Sequence, residues 1–398
     1  MPDRRPVIIT FKRKDKRSTD VDKQEIALKG VKSEVNFFTA SDFARGPSPV
    51  IAGLDPETIG FDVNRYDAPI LIANLTDREI DALKANKDVV AVEEDGEMHA
   101  LQTNLQLEGA PEVLAETIPV GVNQIKAPAG WGASQGLAIK VFILDTGIDS
   151  DHPDLVANLH EGKSFVPTES TTEDYHGHGT HCAGTVAAAI NGFGVVGVAP
   201  YAYLHPVKVL SSTGSGNWSW LIAGIDWVMA KKGLRIISMS LGGVAPAAVK
   251  TICDSAYADG ILLVAAAGNS GPGDNTVGDP ARFDSVIAVS AIDSADVIAA
   301  FSSRGPQVEI AAPGVNVLST TRGGAYGGMS GTSMACPHVA GAAAMGWGSH
   351  RTVNNKQVRK LLQMTAFNLG APGRDNLYGF GRVDAQSAAV WLYGIPEA

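Results

Sequence analysis

Short apolar runs separated by longer mixed stretches organise the chain from Ile139 onward. The runs are nearly unbroken, which is typical of strands buried on both faces of a parallel sheet, and the stretches between them suit helices. We therefore predict an α/β domain whose parallel sheet carries helices on both faces. Its predicted strands are Lys140–Leu144, Tyr203–Val209, Arg235–Ser240, Ile261–Ala266 and Val286–Val289.

The first hundred residues show a different alternation of polar and apolar positions. Asp20–Val31 has the apolar spacing of a helix, and Thr76 followed by Glu79 forms a capping box that predicts the start of a second helix. Together with three strands, these helices predict a small α+β sheet with helices on one face. The strands are Pro6–Lys12, Ala68–Leu75 and Asp88–Glu93.

Composition narrows the possible partners. The 398 residues suffice for two or three domains, and the net charge of −10 gives no reason to expect a nucleic-acid partner. No apolar run approaches the roughly 18 residues of a membrane span, and MPDRRPVIITFK at the N-terminus lacks the apolar region of a secretory signal. The three cysteines, Cys182, Cys253 and Cys336, cannot all pair, so we expect no disulfide framework.

The stretch SGTSMACPHVAGAAAM, from Ser330 to Met345, carries the first candidate chemistry. Gly331 permits a tight turn, Thr332 and Ser333 are residue types that cap helices, and the alanines predict a closely packed helix. Ser333 would then lie at a helix N-terminus, where developing negative charge is favoured. A serine nucleophile also needs a base and an orienting carboxylate from elsewhere in the chain.

Two upstream motifs can supply these partners. HGHGTHCAG places His178 before a second helix of small residues, and IKVFILDTGID ends an apolar strand at Asp145, with Gly147 just after it. The carboxyl ends of parallel strands meet at the edge where α/β proteins keep their sites. Asp145, His178 and Ser333 are therefore the candidate catalytic residues.

Two alternatives compete with this interpretation. His176, His178, His181 and Cys182 could suggest a transition-metal site, although two of them lie in a loop and two on successive helix positions, which makes convergence on one ion poor. GASQG, around Ser134, fits the G-x-S-x-G esterase pattern but precedes a strand instead of joining a strand to a helix. Each of the three candidate residues could also be an ordinary strand-end or helix-start residue.

With the motifs DTGI, HGTHCAG and GTSMACPHVAG in this order, the chain resembles the subtilisin-like serine proteases, or subtilases. The resemblance implies that His178 takes the proton from Ser333 as it attacks a peptide carbonyl, while Asp145 orients the imidazole. It also implies that Asn269, in ILLVAAAGNSG, binds the oxyanion together with the Ser333 N–H.

The resemblance further implies that an extended peptide binds between two exposed edges, in STGSGNW and SMSLGG. Gly278 would form the floor of the pocket for the residue before the cut, which leaves room for large apolar groups, and Trp218 would border a pocket further upstream. The loop from Ser270 to Thr276 is shorter than is usual in the family. The implied substrate-binding residues are Gly214, Ser215, Gly216, Trp218, Ser240, Leu241, Gly242 and Gly278.

Structural calcium (Ca2+) is the cofactor that the resemblance implies. The hard oxygen ligands would come from side chains and from backbone carbonyls of one loop. The alternative is that AINGFGVVG is only a helix-ending turn. The implied ligands are Glu116, where a glutamine is usual, with Asp154, Ala189, Asn191, Phe193 and Val195.

The N-terminal part resembles the subtilase propeptide, a ferredoxin-like domain that acts in the family as a folding chaperone and inhibitor. The resemblance implies residues 1–101 as propeptide, with self-cleavage between Leu101 and Gln102. Residues 102–115 have no clear periodicity and predict a linker or N-terminal extension, with Leu114 as a second candidate cut. Residues 116–398 would form the catalytic domain.

We thus predict a self-processed serine endopeptidase zymogen with broad specificity and a preference for large apolar residues before the cut. Its expected partners are peptide substrates and its own propeptide, with no nucleic acid and no membrane, and we expect an extracellular monomer whose signal peptide is not present in this chain. A scaffold protein without turnover, and a zymogen kept latent by its bound propeptide, are the alternatives.

Overall fold

The computed structural model describes residues 4–11, 34–35, 51–52, 59–63, 70–87, 89–101, 104–106, 115–391 and 394. The helix predicted over Asp20–Val31 lies outside these residues, as do Gln102 and Leu114. The chain divides into two compact units. The first comprises Met1–Glu97, Asn217–Lys231 and Val244–Asp259, and the second comprises Met98–Gly216, Lys232–Gly243 and Gly260–Ala398.

The described strands are β1 (Arg5–Phe11), β2 (Glu34–Val35), β3 (Ile51–Ala52), β4 (Ile59–Val63), β5 (Ile70–Leu75), β6 (Val89–Glu94), β7 (Glu97–Ala100), β8 (Asn104–Gln106), β9 (Lys140–Asp145), β10 (Lys163–Ser164), β11 (Tyr203–Lys208), β12 (Ser215–Asn217), β13 (Arg235–Met239), β14 (Leu241–Gly242), β15 (Leu262–Ala266), β16 (Val286–Ile292), β17 (Val308–Pro313), β18 (Val317–Thr321) and β19 (Ala325–Ser330). The described helices are α1 (Asp77–Lys84), α2 (Val120–Gln124), α3 (Ala127–Gly130), α4 (His178–Ala187), α5 (Trp218–Met229), α6 (Ala247–Ala258), α7 (Thr332–Ser349), α8 (Asn355–Thr365) and α9 (Ala385–Val390).

The first unit contains an antiparallel sheet with the strand order β4-β5-β1-β6. Its three predicted strands form within one or two residues of their expected bounds. Helix α1 begins after Thr76, whose hydroxyl accepts a hydrogen bond from the Glu79 N–H at 3.4 Å. The Glu79 carboxylate accepts the Thr76 N–H at 2.8 Å, so the predicted capping box is confirmed.

Apolar side chains on both faces of β1 are buried. On one face Val7 and Ile9 of β1 cluster with Ile80 and Leu83 of α1, and Ile8, which points to the opposite face, is also fully buried. The sequence predicted helices on one face. The structure adds α5 and α6, from far along the chain, which contact β4 and β1.

Two carboxylates near the end of β6 cap the helices of the first unit. Neither α5 nor α6 receives a hydrogen bond from its own N-cap side chain. Instead Asp95 Oδ1 accepts the Ser219 N–H of α5 at 3.0 Å, and the Glu93 carboxylate accepts the N–H groups of Ala247 and Ala248 of α6 at 2.8 and 3.3 Å. These bonds satisfy donors that a helix leaves unpaired and place negative charge at its positive end.

The second unit contains a seven-stranded parallel sheet with the strand order β10-β11-β9-β13-β15-β16-β17. Both sets of alternating positions on β9 are buried, Val141 and Ile143 on one side and Phe142 and Leu144 on the other. This is the burial expected of a parallel strand that is covered on both faces. The predicted α/β fold with a parallel sheet is confirmed.

Strands β10 and β17 were not predicted, and the structure gives the reason for each. β10 has two residues, too few for a pattern. β17 has the sequence VEIAAP, in which Glu309 and Pro313 interrupt the apolar run. Glu309 is tolerated in the interior because it forms an ion pair with Arg359 and accepts a hydrogen bond from Gln363 at 3.0 Å.

All three cysteines lie in the described part of the chain, where they are buried and form no disulfide. None of the helices in the described ranges combines the length and apolar character that crossing a membrane requires.

Two histidines of the second unit are buried in their neutral form. His181 Nε2 donates to the Val317 carbonyl at 2.9 Å, and His338 Nδ1 donates to the Met334 carbonyl at 2.8 Å. Burial lowers the pKa of His181 to about 3 and the pKa of His338 to about 4. Both side chains therefore bind protons in the unfolded chain at pH values where the folded chain does not.

These pKa values predict loss of stability in mild acid. A histidine whose folded pKa lies below 6.5 stabilises the fold fully above that pH, and this stability is lost as the pH falls from about 6.5 toward about 4. In a Ser333→Ala background, which removes the nucleophile predicted from the sequence, His338→Gln should reduce the slope of unfolding free energy against pH in this window by up to about 1.4 kcal/mol per pH unit. Denaturant unfolding at several pH values measures the slope. The exposed His99→Gln serves as the control. An unchanged slope in the His338→Gln variant would show that His338 does not cause the pH dependence.

Candidate active site

The sheet of the second unit brings polar groups to one edge. Asp145 is the last residue of β9, Ser240 directly follows β13, and Asn269 lies shortly after β15. Because these are neighbouring or near-neighbouring parallel strands, their carboxyl ends lie side by side.

Asp145 and His178 are in direct contact. His178 Nδ1 lies 2.7 Å from Asp145 Oδ1, and both side chains are buried. His178 is the first residue of α4, and Gly179 allows that helix to approach β9. A Cβ atom at Gly179 would lie 2.1 Å from the Gly147 carbonyl oxygen and 3.1 Å from the Asp145 Cβ. The contact places Nε2 as the imidazole nitrogen free to exchange a proton.

Asp174 holds this arrangement in place, and the sequence pattern did not single it out. Its buried carboxylate accepts the Thr146 hydroxyl at 2.9 Å and the N–H groups of His176 and Gly177 at 2.9 and 2.8 Å. It also accepts the N–H and hydroxyl of Thr180 at 2.9 and 2.6 Å. Asp174 therefore ties the residue after Asp145 to the first turn of α4. A recognisable signal was present, since an aspartate shortly before a helix is a common N-terminal partner.

Ser333 is the second residue of α7, as its motif predicted. The expectation that Thr332 or Ser333 caps this helix is wrong. The N-cap is Gly331, which offers no side chain, and Thr332 Oγ1 instead donates to Asn269 Oδ1 at 2.9 Å.

Two hydrogen bonds join Ser333 to Ser240. The Ser333 hydroxyl donates to the Ser240 carbonyl and the Ser240 hydroxyl donates to the Ser333 carbonyl, both at 2.8 Å. The second bond is available because Pro337, four residues later in α7, has no N–H for the Ser333 carbonyl. The proline inside the helix thus allows the Ser333 backbone to bond to the end of β13.

Cys182 lies between the Asp145–His178 pair and Ser333. Its Sγ is 3.6 Å from the Ser333 carbonyl oxygen. The same Sγ lies within 4.8 Å of a carboxylate oxygen of Asp145 and of a ring nitrogen of His178. His178 Nε2 is buried and has no hydrogen-bond partner in the described chain, while the Ser333 hydroxyl points to Ser240.

The structure does not gather the four residues of the alternative metal site. The group that comes together is Asp145, His178 and Cys182, without His176 or His181. Burial raises the pKa of the Cys182 thiol well above its usual value, which disfavours the thiolate that a metal needs. Ser134 lies in a turn before β9, and its hydroxyl accepts the Gly136 N–H at 3.2 Å.

A backbone carbonyl occupies the predicted oxyanion position. The Leu101 oxygen accepts the Asn269 side-chain amide at 2.8 Å and the Ser333 N–H at 3.4 Å. Asn269 is itself oriented by Thr332, whose N–H donates to Asn269 Oδ1 at 3.0 Å. Two donors aimed at one carbonyl oxygen can stabilise negative charge that develops there during nucleophilic attack.

The residues before Leu101 form the middle strand of a small sheet with the order β12-β7-β14. Ala100 pairs with Leu241 in antiparallel register, and its N–H donates to the Gly214 carbonyl at 2.9 Å. The Leu101 N–H donates to the Ser240 carbonyl at 3.2 Å. The two edges predicted to bind substrate thus bind this segment of the chain itself.

Side chains of the same segment contact the other predicted binding residues. A Cβ atom at Gly242 would lie 3.0 Å from Leu101 Cδ1, and one at Gly216 would lie 3.2 Å from Met98 Cε, so both glycines leave space for these side chains. His99 Nδ1 lies 3.0 Å from Ser215 Oγ.

The last two predicted binding residues have other neighbours. The Gly278 N–H donates to the Ala267 carbonyl at 3.0 Å, and a Cβ atom at Gly278 would meet only the Gly243 carbonyl oxygen, at 3.9 Å. Trp218 belongs to the first unit, where its side chain is fully buried. Its backbone N–H donates to the Gly96 carbonyl at 3.1 Å.

The predicted calcium ligands converge on the loop after α4. Glu116 Oε1 accepts the N–H groups of Asn191 and Gly192 at 2.7 and 2.8 Å, and the Asn191 amide donates to Asp154 Oδ1 at 2.9 Å. A Cβ atom at Gly194 would lie 2.1 Å from Asp154 Oδ2 and 2.3 Å from the Tyr326 hydroxyl, so a residue with a side chain would not fit here. Two carboxylates and an amide oxygen around one loop are ligand types that suit calcium chemically.

The remaining residues of that set hold the loop around Asp154. The Ala189 N–H donates to the Asp154 carbonyl and the Val195 N–H to its side chain, both at 2.8 Å, and the Phe193 N–H donates to Asn191 Oδ1 at 3.2 Å. Burial and the nearby Asp154 charge raise the pKa of the Tyr326 hydroxyl. The loop also ends α4, so its role as a simple turn is compatible with the same contacts.

The chain is similar to one family of proteases over most of its length. The family model of the subtilase family matches residues 136–381. Subtilisin E from Bacillus subtilis (strain 168) is 46% identical over 322 residues, which is 80% of each chain. A subtilisin from Bacillus pumilus is 49% identical over 280 residues, or 69% of this chain and 100% of the relative. An alkaline protease from Alkalihalobacillus alcalophilus is 42% identical over 322 residues, or 80% of this chain and 79% of the relative.

The matched region contains Asp145, His178, Asn269 and Ser333, and the chain covers most of each of these relatives. This protein belongs to the subtilase family and is a serine endopeptidase.

Proposed function

We propose that Asp145, His178, Ser333 and Asn269 carry out the hydrolysis. His178 Nε2 takes the Ser333 proton as Oγ attacks the substrate carbonyl carbon, and the Asp145 carboxylate stabilises the imidazolium through Nδ1. The tetrahedral oxyanion binds the Asn269 amide and the Ser333 N–H. His178 then gives the proton to the leaving amine, and water hydrolyses the resulting acyl-enzyme by the reverse use of the same base.

One observation carries this proposal. The Leu101 carbonyl accepts hydrogen bonds from the two donors that the mechanism needs, while the Leu101 N–H is held by Ser240, the residue that also binds the Ser333 hydroxyl. A peptide held on both sides of its carbonyl, next to an alcohol at a helix N-terminus, is in the position of a substrate. Nothing in the described residues favours the scaffold alternative.

The first substrate is the chain's own bond between Leu101 and Gln102, and residues 1–101 act as propeptide. The antiparallel pairing of β7 with β14 supports this role, because a peptide that adds a strand to both edges occupies the substrate position. Glu93 and Asp95 support a chaperone role, since they supply the caps that α5 and α6 lack. Until the propeptide leaves, the enzyme stays latent.

Specificity follows from the surroundings of Leu101. Its side chain lies over Gly242, and Gly278 contributes no side chain, so the pocket accepts a large apolar residue before the cut. Upstream recognition is mostly through backbone hydrogen bonds, which every sequence can make. The enzyme therefore has broad specificity with this one preference.

Calcium binds at the loop that contains Asn191. Glu116, Asp154 and Asn191 would supply side-chain oxygens, and Ala189, Phe193 and Val195 would supply carbonyls. The bound ion would neutralise the two carboxylates and fix the loop against Asp154, without taking part in the reaction.

The mature enzyme acts outside the cell as a monomer. The three cysteines are compatible with an oxidising location, because all are buried and so are protected from unwanted disulfides.

Replacement of Ser333 tests the nucleophile. The wild-type chain should cut itself after Leu101 and react covalently with a fluorophosphonate, whereas Ser333→Ala should remain intact and unlabelled, because Oγ is the only atom removed. Intact-mass analysis reports both results, with Ser330→Ala as the control hydroxyl. Labelling or self-cleavage of the Ser333→Ala chain would disprove the assignment.

Replacement of Asn269 tests the oxyanion donor. Asn269→Asp keeps the acceptor for Thr332 but loses the donor to the carbonyl oxygen, so kcat should fall by about 10²–10³-fold with little change in KM. Steady-state kinetics on a peptide substrate measures both constants. The neighbouring exposed Ser270→Ala should behave like wild type, and an Asn269→Asp enzyme with wild-type kcat would exclude this role.

Removal of calcium tests the metal site. In the Ser333→Ala background, calcium at 100 times its dissociation constant should stabilise the fold by about 2.7 kcal/mol, and a chelator should remove this gain. Calorimetry with and without calcium measures the shift in Tm. Asn191→Ala should abolish the calcium-dependent shift, whereas the exposed Asn123→Ala should keep it. If a chelator leaves the Tm of the protein with the unaltered site unchanged, the calcium ligands are wrongly assigned.

A further inference from the structure

The chain is paired to the second unit on the far side of the Leu101 carbonyl as well. Strand β8 adds to the edge of the β18–β19 hairpin, and the sheet order is β18-β19-β8. The register is antiparallel, with Asn104 opposite Ser330, Leu105 opposite Met329 and Gln106 opposite Gly328. The residues that follow the proposed cut therefore form a strand of their own.

Strand β8 and its partner strand β19 are both only a few residues in sequence from the groups proposed to react, Leu101 and Ser333. Ser330, the end of β19, is three residues before Ser333, and Asn104 is three residues after Leu101. The two sides of the bond thus use separate edges. The upstream side pairs with β12 and β14, and the downstream side pairs with β19. A substrate that extends beyond its scissile bond needs the same β19 edge for its leaving part.

The cut does not detach β8. Cleavage after Leu101 releases the segment that ends at Leu101, but Asn104–Gln106 remains covalently connected to Thr117. The Thr117 N–H donates to the Gly194 carbonyl at 2.8 Å, and its own carbonyl accepts the Val196 N–H at 3.1 Å. The strand is therefore tethered at a short distance along the chain from an anchored point, which gives it a high effective concentration at β19.

We propose that residues Asn104–Gln106 stay on the β19 edge after the first cut and act as a tethered inhibitor of the leaving-group side of the cleft. The inference rests on the proposed self-cleavage at Leu101. Full activity on long peptides then requires a second cut that removes the extension before Ala115. The occupied edge has no effect on substrates whose leaving group is not a peptide.

The expected size of the effect follows from competition. A short tether gives an effective concentration of about 1 mM, so a strand that binds β19 with a dissociation constant near 0.1 mM would raise KM for long peptides on the order of tenfold. Because the strand binds through its backbone, residues without an N–H should weaken it.

The test uses the full chain as it processes itself. Intact mass and N-terminal sequencing follow the start of the mature enzyme over time. Activity is measured on a peptide anilide, which has no residue after the cut, and on an internally quenched peptide with four residues after it. As the N-terminus moves from Gln102 to Ala115, activity on the quenched peptide should rise on the order of tenfold while anilide activity per labelled Ser333 stays constant.

A variant separates the strand from the rest of the extension. Asn104→Pro combined with Gln106→Pro should give high activity on the quenched peptide as soon as Gln102 is the N-terminus, and Glu108→Pro, outside β8, should behave like wild type. Equal changes on the two substrates, no change when the extension is lost, or a first product that already begins at Ala115 would each overturn the inference. A chain that neither cuts itself nor labels at Ser333 would instead refute the proposed function.

Discussion

The buried carboxylate of Asp174 is the constraint on which the geometry of the site depends. Its five hydrogen bonds join the residue after Asp145 to the backbone that starts α4. A buried carboxylate is costly unless every lone pair is used, and here the cost is offset by donors that belong to the two elements to be joined. The 2.7 Å contact between His178 and Asp145 follows from that junction, because the ring leaves the first residue of the helix that Asp174 fixes.

A second junction fixes the other half of the site. The exchange of hydrogen bonds between Ser240 and Ser333 holds α7 against the end of β13, and the proline in α7 makes one of these bonds possible. The same Ser240 carbonyl also accepts the Leu101 N–H. One backbone group therefore binds both the Ser333 hydroxyl and the Leu101 N–H, so the proposed nucleophile and the proposed substrate are positioned against the same part of the scaffold.

The sequence predicted the elements whose local pattern is strong. Local patterns predicted five central strands, the Thr76–Glu79 capping box and the start of the helix that contains Ser333. They did so through apolar runs and through turn or capping residues that act over a few positions. Strand β17 was not predicted, because a glutamate in an apolar run indicates an exposed position. Glu309 is buried only because it pairs with Arg359, fifty residues away. Asp174 lies shortly before α4 and so carried a local signal, but its link to the strand could not be predicted, because Thr146 is distant in sequence. The grouping of α5 and α6 with the N-terminal sheet is a tertiary contact that no local pattern encodes.

The carboxylates of Glu93 and Asp95 have a consequence for the mature chain. They cap α5 and α6, yet they belong to the segment upstream of Leu101, so the proposed cleavage there would turn an intramolecular partner into a separate molecule that can diffuse away. A denatured mature chain would then have to begin both helices with their first N–H groups unpaired, at a cost that the precursor does not meet. Under the proposed processing, the lifetime of the mature enzyme would be governed by how slowly it unfolds, because it would have to refold without these caps.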